Sequence, residues 1–209
     1  MAEMRKGLFI VFEGIDGSGK TTQANRLADM LRAMGREVVQ TAEPTGLPSG
    51  KAIRVALSGA VKKSECEMAA MFVEDRIAHN IDAEIGIQNL VARGVDVICD
   101  RYYYSSLAYQ GHATDYEWVK AMNINCPQIR KPDICIYLDL LPEESLRRIS
   151  AGRDSLEIYE NIETLTKVRK QFLSVIEDLG RTDNIQIVNA ADTYDNIADV
   201  IAEMVKKLV

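Results

Sequence analysis

The sequence predicts an α/β protein in which a five-stranded parallel sheet is flanked on both faces by helices, as a three-layer sandwich. Five short runs rich in Ile and Val are continuous rather than alternating, which is typical of strands buried on both faces. Segments with helical spacing separate these runs, and such alternation builds a doubly wound sheet. The 209 residues, 47% of them hydrophobic, contain no repeat or linker, so we expect a single domain over residues 1–209.

The individual elements follow from these patterns in chain order. Strands are predicted at 8–12, 38–41, 95–99, 134–138 and 185–188. Helices are predicted at 21–34, 51–57, 64–80, 82–93, 115–125, 142–150, 162–179 and 193–208. Ser64 and Glu67 have the spacing of a capping box, and Gly35, Gly94 and Gly180 stand where helices should end.

The charge balance limits the classes of partner. With 25 basic and 31 acidic residues the net charge is -6, the wrong sign for a protein that coats nucleic acid or an anionic membrane. The first apolar run is far too short to span a membrane, so we expect a cytoplasmic protein without a membrane partner. Four cysteines without a C-x-x-C pair and two histidines offer few zinc ligands, and we expect the thiols to be reduced and mostly buried.

The segment between the first strand and the first helix carries the strongest motif. Residues 14–21, here called the phosphate loop, match G-x-x-x-x-G-K-[ST] as Gly14, Ile15, Asp16, Gly17, Ser18, Gly19, Lys20 and Thr21. Its glycines allow the backbone N–H groups to surround an anion at a helix N-terminus. Lys20 should reach the β- and γ-phosphate oxygens, and the Thr21 hydroxyl should hold Mg²⁺. The motif therefore predicts binding of ATP with Mg²⁺.

A phosphate loop occurs in several classes of protein, and other segments separate them. A GTPase should carry an N-K-x-D motif after a late strand, but residues 189–192 are Asn-Ala-Ala-Asp. The third predicted strand is followed by Asp-Arg-Tyr-Tyr at 100–103, without the glycine of a D-x-x-G motif. Motor ATPases are usually larger. These differences favour a kinase that acts on a small molecule.

Cations near the strand ends predict a second anion opposite the γ-phosphate. Arg101 follows the third strand, Arg54 and Arg76 lie in the next two helices after the second strand, and Arg153 lies in a polar stretch after the fourth. Transfer of a phosphoryl group between two anions depends on such charge neutralisation.

Two carboxylates near these cations have alternative interpretations. Asp100 could order the water molecules of Mg²⁺ or simply cap a turn. Asp16 should either contact a sugar hydroxyl of the acceptor or orient a guanidinium group, since a carboxylate among phosphates is otherwise repelled. Asp139 could contact metal or donor, and we favour a helix-capping role for it.

Several motifs together resemble the thymidylate kinase family over nearly the whole chain. They are F-I-V-F-E-G-I-D-G-S-G-K-T-T-Q at 9–23, Glu43-Pro44, Phe72-x-x-x-Arg76, D-R-Y-x-x-S-x-x-A-Y-Q-G at 100–111, and Tyr-Leu-Asp at 137–139. The resemblance implies a P-loop kinase fold and transfer of the γ-phosphate of ATP to dTMP, with Mg²⁺, giving dTDP. It also implies a homodimer.

The resemblance further implies roles for individual residues. Arg101 and Arg54 would bind the phosphate of the acceptor, and Phe72 would stack on the thymine ring. Arg76 would bond a thymine carbonyl, and Ser106 would lie near the base edge. These expectations agree with the chemistry, because an aromatic face and one donor suffice to recognise a pyrimidine.

The remaining implied residues concern the sugar and the transferred phosphate. Tyr109 would crowd the 2′ position and favour deoxyribose, and Pro44 would line the acceptor site. A lid at about 150–160 would close over the phosphates, with Arg153 as its cation. The expected catalytic residues are Lys20, Arg101, Arg153 and Asp16.

Two alternative functions stay open on the sequence alone. Another nucleoside or nucleotide kinase would take dUMP or a deoxynucleoside, and a switch or binding module would bind nucleotide without turnover. Arg54 and Arg101 favour a monophosphate acceptor, because a nucleoside offers them no phosphate.

Overall fold

A parallel sheet forms the centre of the protein. The computed structural model describes residues 6–152 and 161–209. Within these ranges five strands form one sheet with the order β2-β3-β1-β4-β5. The strands are β1 (Phe9–Glu13), β2 (Val38–Ala42), β3 (Asp96–Asp100), β4 (Ile134–Asp139) and β5 (Ile185–Asn189).

Helices connect the strands and cover the sheet. Those in the described ranges are α1 (Lys20–Ala33), α2 (Pro48–Leu57), α3 (Glu65–Ile81), α4 (Ile87–Ala92), α5 (Tyr103–Ala113), α6 (Tyr116–Ile124), α7 (Pro142–Gly152), α8 (Ile162–Leu179) and α9 (Tyr194–Lys206). No helix in these described ranges is long and apolar enough to cross a membrane.

The side chains of β1 alternate between two apolar cores. Phe9 and Val11 belong to one core, which also contains residues of α3, α4, α5 and α8. Ile10 and Phe12 belong to the other core, with residues of α1 and α9. The predicted three-layer arrangement and the five strands are thereby confirmed.

The strand register brings the carboxyl ends of the sheet to one edge. Phe12 of β1 is level with Asp100 of β3, and Ala42 of β2 is level with the same residue. On the other side, Glu13 is level with Tyr137 of β4. The segments that follow β1, β2 and β3 therefore emerge beside one another, at the edge where parallel sheets bind ligands.

Helix α5 is the largest departure from the sequence-based expectation, which placed no helix between residues 100 and 114. Its sequence has little amphipathic periodicity, and its N-cap residue Tyr102 makes no capping bond through its side chain. The tyrosines at 102–104 are buried. The hydroxyl groups of Tyr103 and Tyr104 both donate to the buried carboxylate of Asp183.

Three smaller expectations also need correction. The helix predicted at 82–93 covers only Ile87–Ala92, because the Asp82 side chain accepts bonds from the amides of Glu84 and Ile85 and forms a turn there. Asp139 does not cap α7; its carboxylate forms a two-point ion pair with Arg169. The thiols are all free, but only Cys99 and Cys135 are buried. The capping box at Ser64 is confirmed.

A buried ion pair holds the amino end of β3. The guanidinium of Arg36 donates twice to the carboxylate of Asp96, which also accepts the backbone N–H of Leu8 at 2.8 Å. Both charged side chains are almost completely buried. Removal of one partner leaves the other as an unpaired buried charge, which is strongly destabilising.

The substitution Arg36→Ala should lower the free energy of unfolding by about 3–5 kcal/mol. Urea denaturation followed by circular dichroism measures this loss. As a control, Lys206→Ala removes an exposed pair with Glu203 and should change the free energy by less than about 1 kcal/mol. Equal small effects of the two substitutions would contradict the role of the buried pair.

Candidate active site

The phosphate loop connects β1 to α1 at the carboxyl edge of the sheet. Gly17 and Gly19 have φ values of 74° and 94°, in the left-handed region that favours glycine. A Cβ at Gly17 would lie 2.8 Å from the carbonyl oxygen of Ser145, so α7 packs directly against this loop. The loop closes on itself through the N–H of Ser18, which donates to the carbonyl of Ile15 at 3.2 Å. This geometry matches the predicted anion-binding turn.

Lys20 lies at the start of α1 with its ammonium group turned into the loop. Its Nζ donates to the carbonyl oxygens of Gly14 and Ile15, both at 3.1 Å. Burial, together with the nearby Arg101, lowers the pKa of Lys20 to about 8, against the opposing effect of Asp100, Asp16 and Glu13. An anion bound in the loop would add negative charge beside this group and raise its pKa.

Thr21 and Asp100 are the expected metal ligands, and the structure brings them together. The Thr21 hydroxyl donates to Asp100 Oδ2 at 2.8 Å. Hydroxyl and carboxylate oxygens are the hard ligands that Mg²⁺ prefers. Among the described residues there is no cluster of three or more His, Cys, Asp or Glu that could hold a metal. A pair of protein oxygens suits Mg²⁺, which keeps waters and phosphate oxygens in its other positions.

Two adjoining cavities open at this edge. The loop cavity, about 490 Å³, is lined by the phosphate loop together with Asp100, Arg148 and Tyr194. The deep cavity, about 780 Å³, extends between α2, α3 and α5. Asp16, Glu43 and Arg101 line both cavities. A ligand in one cavity would therefore share these groups with a ligand in the other.

Arg101 forms the wall between the two cavities. Its backbone has a φ of 71°, which is uncommon for a residue other than glycine. Its Nη2 donates to Asp16 Oδ1 at 2.5 Å, and its Nη1 donates to Ser105 Oγ at 3.1 Å. The guanidinium carbon also lies 5.6 Å from the ring centre of Tyr109. Of the two roles considered for Asp16, this bond corresponds to the contact with a guanidinium group.

The deep cavity carries an aromatic side chain and a cation on the same helix. Phe72 and Arg76 lie one turn apart on α3, so their side chains share a face. Arg76 is fully buried, and its Nε donates to Glu43 Oε2 at 2.8 Å. Its Nη1 donates to Asn123, and its Nη2 donates to Ser106 Oγ at 3.2 Å. These bonds fix the orientation of the guanidinium group.

Arg54 of α2 also lines the deep cavity. It donates to the backbone carbonyls of Pro44 and Thr45, in the segment that follows β2. That segment is held by the buried carboxylate of Asp75, which accepts the N–H of Thr45 at 2.8 Å and its hydroxyl at 2.6 Å. Arg54 itself is exposed, so its guanidinium remains accessible from the cavity.

Most of the described site residues predicted from the sequence line one of the two adjoining cavities, and Asp16 and Arg101 line both. Lys20 and Thr21 line the loop cavity, and the expected acceptor residues line the deep cavity, namely Pro44, Arg54, Phe72, Arg76, Arg101, Ser106 and Tyr109. Arg153 and most of the expected lid lie outside the described residues.

Three residues at the site were not predicted. Glu43 is buried at the junction of the cavities, where it also contacts His79 Nδ1 at 2.9 Å. The sequence signal that could have indicated Glu43 as a site residue is its position directly after β2. Arg148 of α7 and Tyr194 of α9 face the loop cavity, with the guanidinium 5.7 Å from the tyrosine ring centre. They come from distant helices, so no local pattern indicated them.

Comparison with known proteins identifies relatives across the chain. The family profile described as Thymidylate kinase matches residues 12–201. The probable thymidylate kinase of Methanococcus aeolicus is 42% identical over 205 residues, covering 96% of this chain and 95% of that protein. The probable thymidylate kinase of Pyrococcus horikoshii is 40% identical, covering 96% and 97%. The thymidylate kinase of Sulfurihydrogenibium sp. is 37% identical, covering 82% and 84%.

The lowered pKa of Lys20 predicts uptake of a proton when ATP binds. At pH 8.5 a group with a pKa of about 8 is mostly neutral, and a bound polyphosphate restores its charge. We expect an uptake of roughly 0.7 proton per site, relative to Lys20→Arg, whose guanidinium stays charged. Titration calorimetry in buffers of different ionisation enthalpy measures this difference. Identical proton uptake by the two proteins would contradict the pKa shift.

Proposed function

Because the chain belongs to the thymidylate kinase family, we propose that its loop cavity holds ATP and its deep cavity holds dTMP. The reaction transfers the γ-phosphate of ATP to dTMP and gives dTDP and ADP, a step towards dTTP. One observation supports this assignment of the cavities above all others. Arg101 and Asp16 line both cavities, so the phosphate of an acceptor and the γ-phosphate of a donor would meet there.

The residues of this chain position the phosphates and balance their charge. The loop amides and Lys20 hold the β- and γ-phosphates of ATP. Arg101, oriented by Asp16 and Ser105, draws the phosphate of dTMP towards the γ-phosphorus. An oxygen of dTMP then forms the new P–O bond as the bond to ADP breaks, and no base is needed because the attacking phosphate oxygen is already anionic. Pre-oriented cations stabilise the charge of this transition state.

The deep cavity provides separate contacts for each part of dTMP. Arg54 and Arg101 bind the phosphate, and the ring of Phe72 stacks on thymine. Arg76 donates to a thymine carbonyl from its fixed position beside Ser106 at the base edge. An amino group at that position of the base, as in cytosine, would face another donor and be rejected.

The sugar contacts complete the acceptor site. Burial raises the pKa of Tyr109 to about 12, so its phenol is neutral at physiological pH. Tyr109 crowds the 2′ position and favours deoxyribose, and Pro44 closes the side of the cavity next to Arg54. Asp16 extends beside Arg101 towards the sugar end of the acceptor.

Mg²⁺ fits the pair of oxygens at Thr21 and Asp100. An ion held there would supply positive charge that neutralises part of the charge of the ATP phosphates. Thr21 would bind it directly through the hydroxyl, and Asp100 would bind it or its water molecules. The contact between these two side chains holds both oxygens together in the lining of the loop cavity.

Three further features belong to the proposal. The lid at about 150–160, with Arg153 as its cation, excludes water from the transferring phosphoryl group. The protein acts as a homodimer in the cytoplasm. Family resemblance supports the lid and the dimer, and the free thiols of the described chain suit a reducing compartment.

A substrate panel tests the function directly. With Mg-ATP, dTMP should give rapid ADP formation, whereas dCMP, dAMP, dGMP, UMP and thymidine should give little, with dUMP below dTMP. Chelation of Mg²⁺ by EDTA should stop the reaction. Coupled spectrophotometry follows ADP. The absence of dTMP-dependent ADP would refute the proposal.

The substitution Arg101→Ala should lower kcat/KM for dTMP by a factor on the order of 10³, because it removes a cation at both phosphates. The control Arg181→Ala removes an exposed arginine just before β5, at the amino edge of the sheet, and should leave kcat/KM within about twofold. Circular dichroism checks that both variants fold. Near-normal activity of folded Arg101→Ala would contradict the phosphate role.

A further inference from the structure

The last residue of the central strand, Glu13, carries a buried carboxylate that the proposed mechanism does not use. Only 1% of its surface is exposed. Its Oε1 accepts the backbone N–H groups of Tyr102 at 2.8 Å and Ser105 at 3.1 Å. Its Oε2 accepts the hydroxyl of Ser105 at 2.7 Å. Three donors from the first turn of α5 therefore converge on one carboxylate of β1.

These bonds hold the backbone on both sides of Arg101. The N–H of Arg101 donates to the carbonyl of Phe12 at 2.9 Å, and the next N–H, that of Tyr102, donates to Glu13. Between these anchors Arg101 has its left-handed backbone, with φ of 71°. The left-handed region of φ is disfavoured for a residue that has a side chain. Such a conformation persists only when surrounding bonds impose it. The Glu13 contact is one of the bonds that impose it.

The same carboxylate also acts on the Arg101 side chain through Ser105. A serine hydroxyl has one proton, and here that proton points to Glu13. The lone pairs of Ser105 Oγ are then free to accept from Arg101 Nη1 at 3.1 Å. A carboxylate at one end of such a chain strengthens the bond at the other.

We propose that Glu13 is a positioning residue for phosphate binding: it holds Arg101, through its backbone and through Ser105, in the orientation that receives the phosphate of the acceptor. The proposal rests on the function assigned above. It explains why an acidic side chain lies next to a loop that binds anions, where its charge would otherwise oppose the ligand. Glu13 compensates Arg101 and does not face the phosphate itself.

Burial of the charged Glu13 carboxylate costs free energy. An uncharged side chain with a purely structural role would not incur this cost. Desolvation raises the pKa of Glu13, against the opposing effects of Arg101, Ser105, Tyr102 and Lys20. Glutamine would keep an acceptor for the two N–H groups, but its amide would donate to Ser105 and its negative charge would be absent. Glu13→Gln therefore preserves much of the backbone contact and disturbs the orientation of Arg101.

The test compares the binding of dTMP with that of thymidine. Their affinity ratio isolates the contribution of the phosphate contact, and displacement of a fluorescent nucleotide measures it for each variant. Glu13→Gln should lower the ratio roughly 10-fold while the affinity for thymidine stays within about twofold. In a protein that already carries Arg101→Ala, Glu13→Gln should change the ratio by less than about twofold.

Two other variants serve as controls. Arg54→Ala removes a second phosphate contact that has no bond to Glu13, so its effect should multiply with that of Glu13→Gln. Ser105→Ala removes the hydroxyl link but retains both backbone bonds to Glu13. Ser105→Ala should lower the ratio of dTMP affinity to thymidine affinity. In a protein that already carries Arg101→Ala, the same substitution should leave this ratio unchanged. If Glu13→Gln does not fold by circular dichroism, the Ser105→Ala cycle decides the question alone.

The outcomes separate this inference from the function on which it rests. An unchanged ratio, an equal loss of dTMP and thymidine affinity, or effects that multiply with Arg101→Ala would each overturn the positioning role. If the unsubstituted protein binds dTMP no better than thymidine and shows no dTMP-dependent turnover, the proposed function fails, and the role of Glu13 fails with it.

Discussion

The parallel hydrogen-bond ladder around β1 determines where the phosphate loop and Arg101 lie. Because β1 stands between β3 and β4, the phosphate loop that follows β1 and the arginine that follows β3 emerge side by side. The distance between Lys20 and Arg101 is thus set by backbone pairing rather than by flexible side chains. The segment after β2 is level with β3 in the same way, and it brings Glu43 to the junction of the cavities and Pro44 to the deep cavity.

Carboxylates of the chain hold the cations of the site in place. Glu43 fixes Arg76, and Asp16 contacts Arg101. Cations that are already oriented need no reorganisation when charge develops on the substrates, which is the main source of rate enhancement in such sites. An overall charge of -6 is compatible with binding two anionic nucleotides, because Lys20, Arg54, Arg76 and Arg101 line the two cavities. The excess acidic residues elsewhere oppose binding of a long polyanion.

The elements that were predictable from the sequence are those whose signals are local. Buried strands show as Ile- and Val-rich runs, the phosphate loop is contiguous, and the capping box of α3 spans four residues. Helix α5 carries no local signal of this kind, because the group that caps it is the side chain of Glu13 in β1. Arg148 and Tyr194 reach the loop cavity from two different helices, so their meeting depends on packing that a linear pattern does not encode. Arg101 was predictable as a cation, but its left-handed backbone was not.

The remote cap of α5 also bears on how the molecule folds. Tyr102 and the glutamate that receives its N–H are 89 residues apart, so the first turn of this helix gains its capping bonds only after β1 and β3 have paired. Contacts of such long sequence separation require closure of a long loop and form late in folding. A chain without its central strands paired would have the phosphate-loop sequence but no arginine in position beside it. Catalytic competence and global folding are therefore acquired in one cooperative event, and amide protons in the first turn of α5 should exchange with solvent as slowly as those of the central strands.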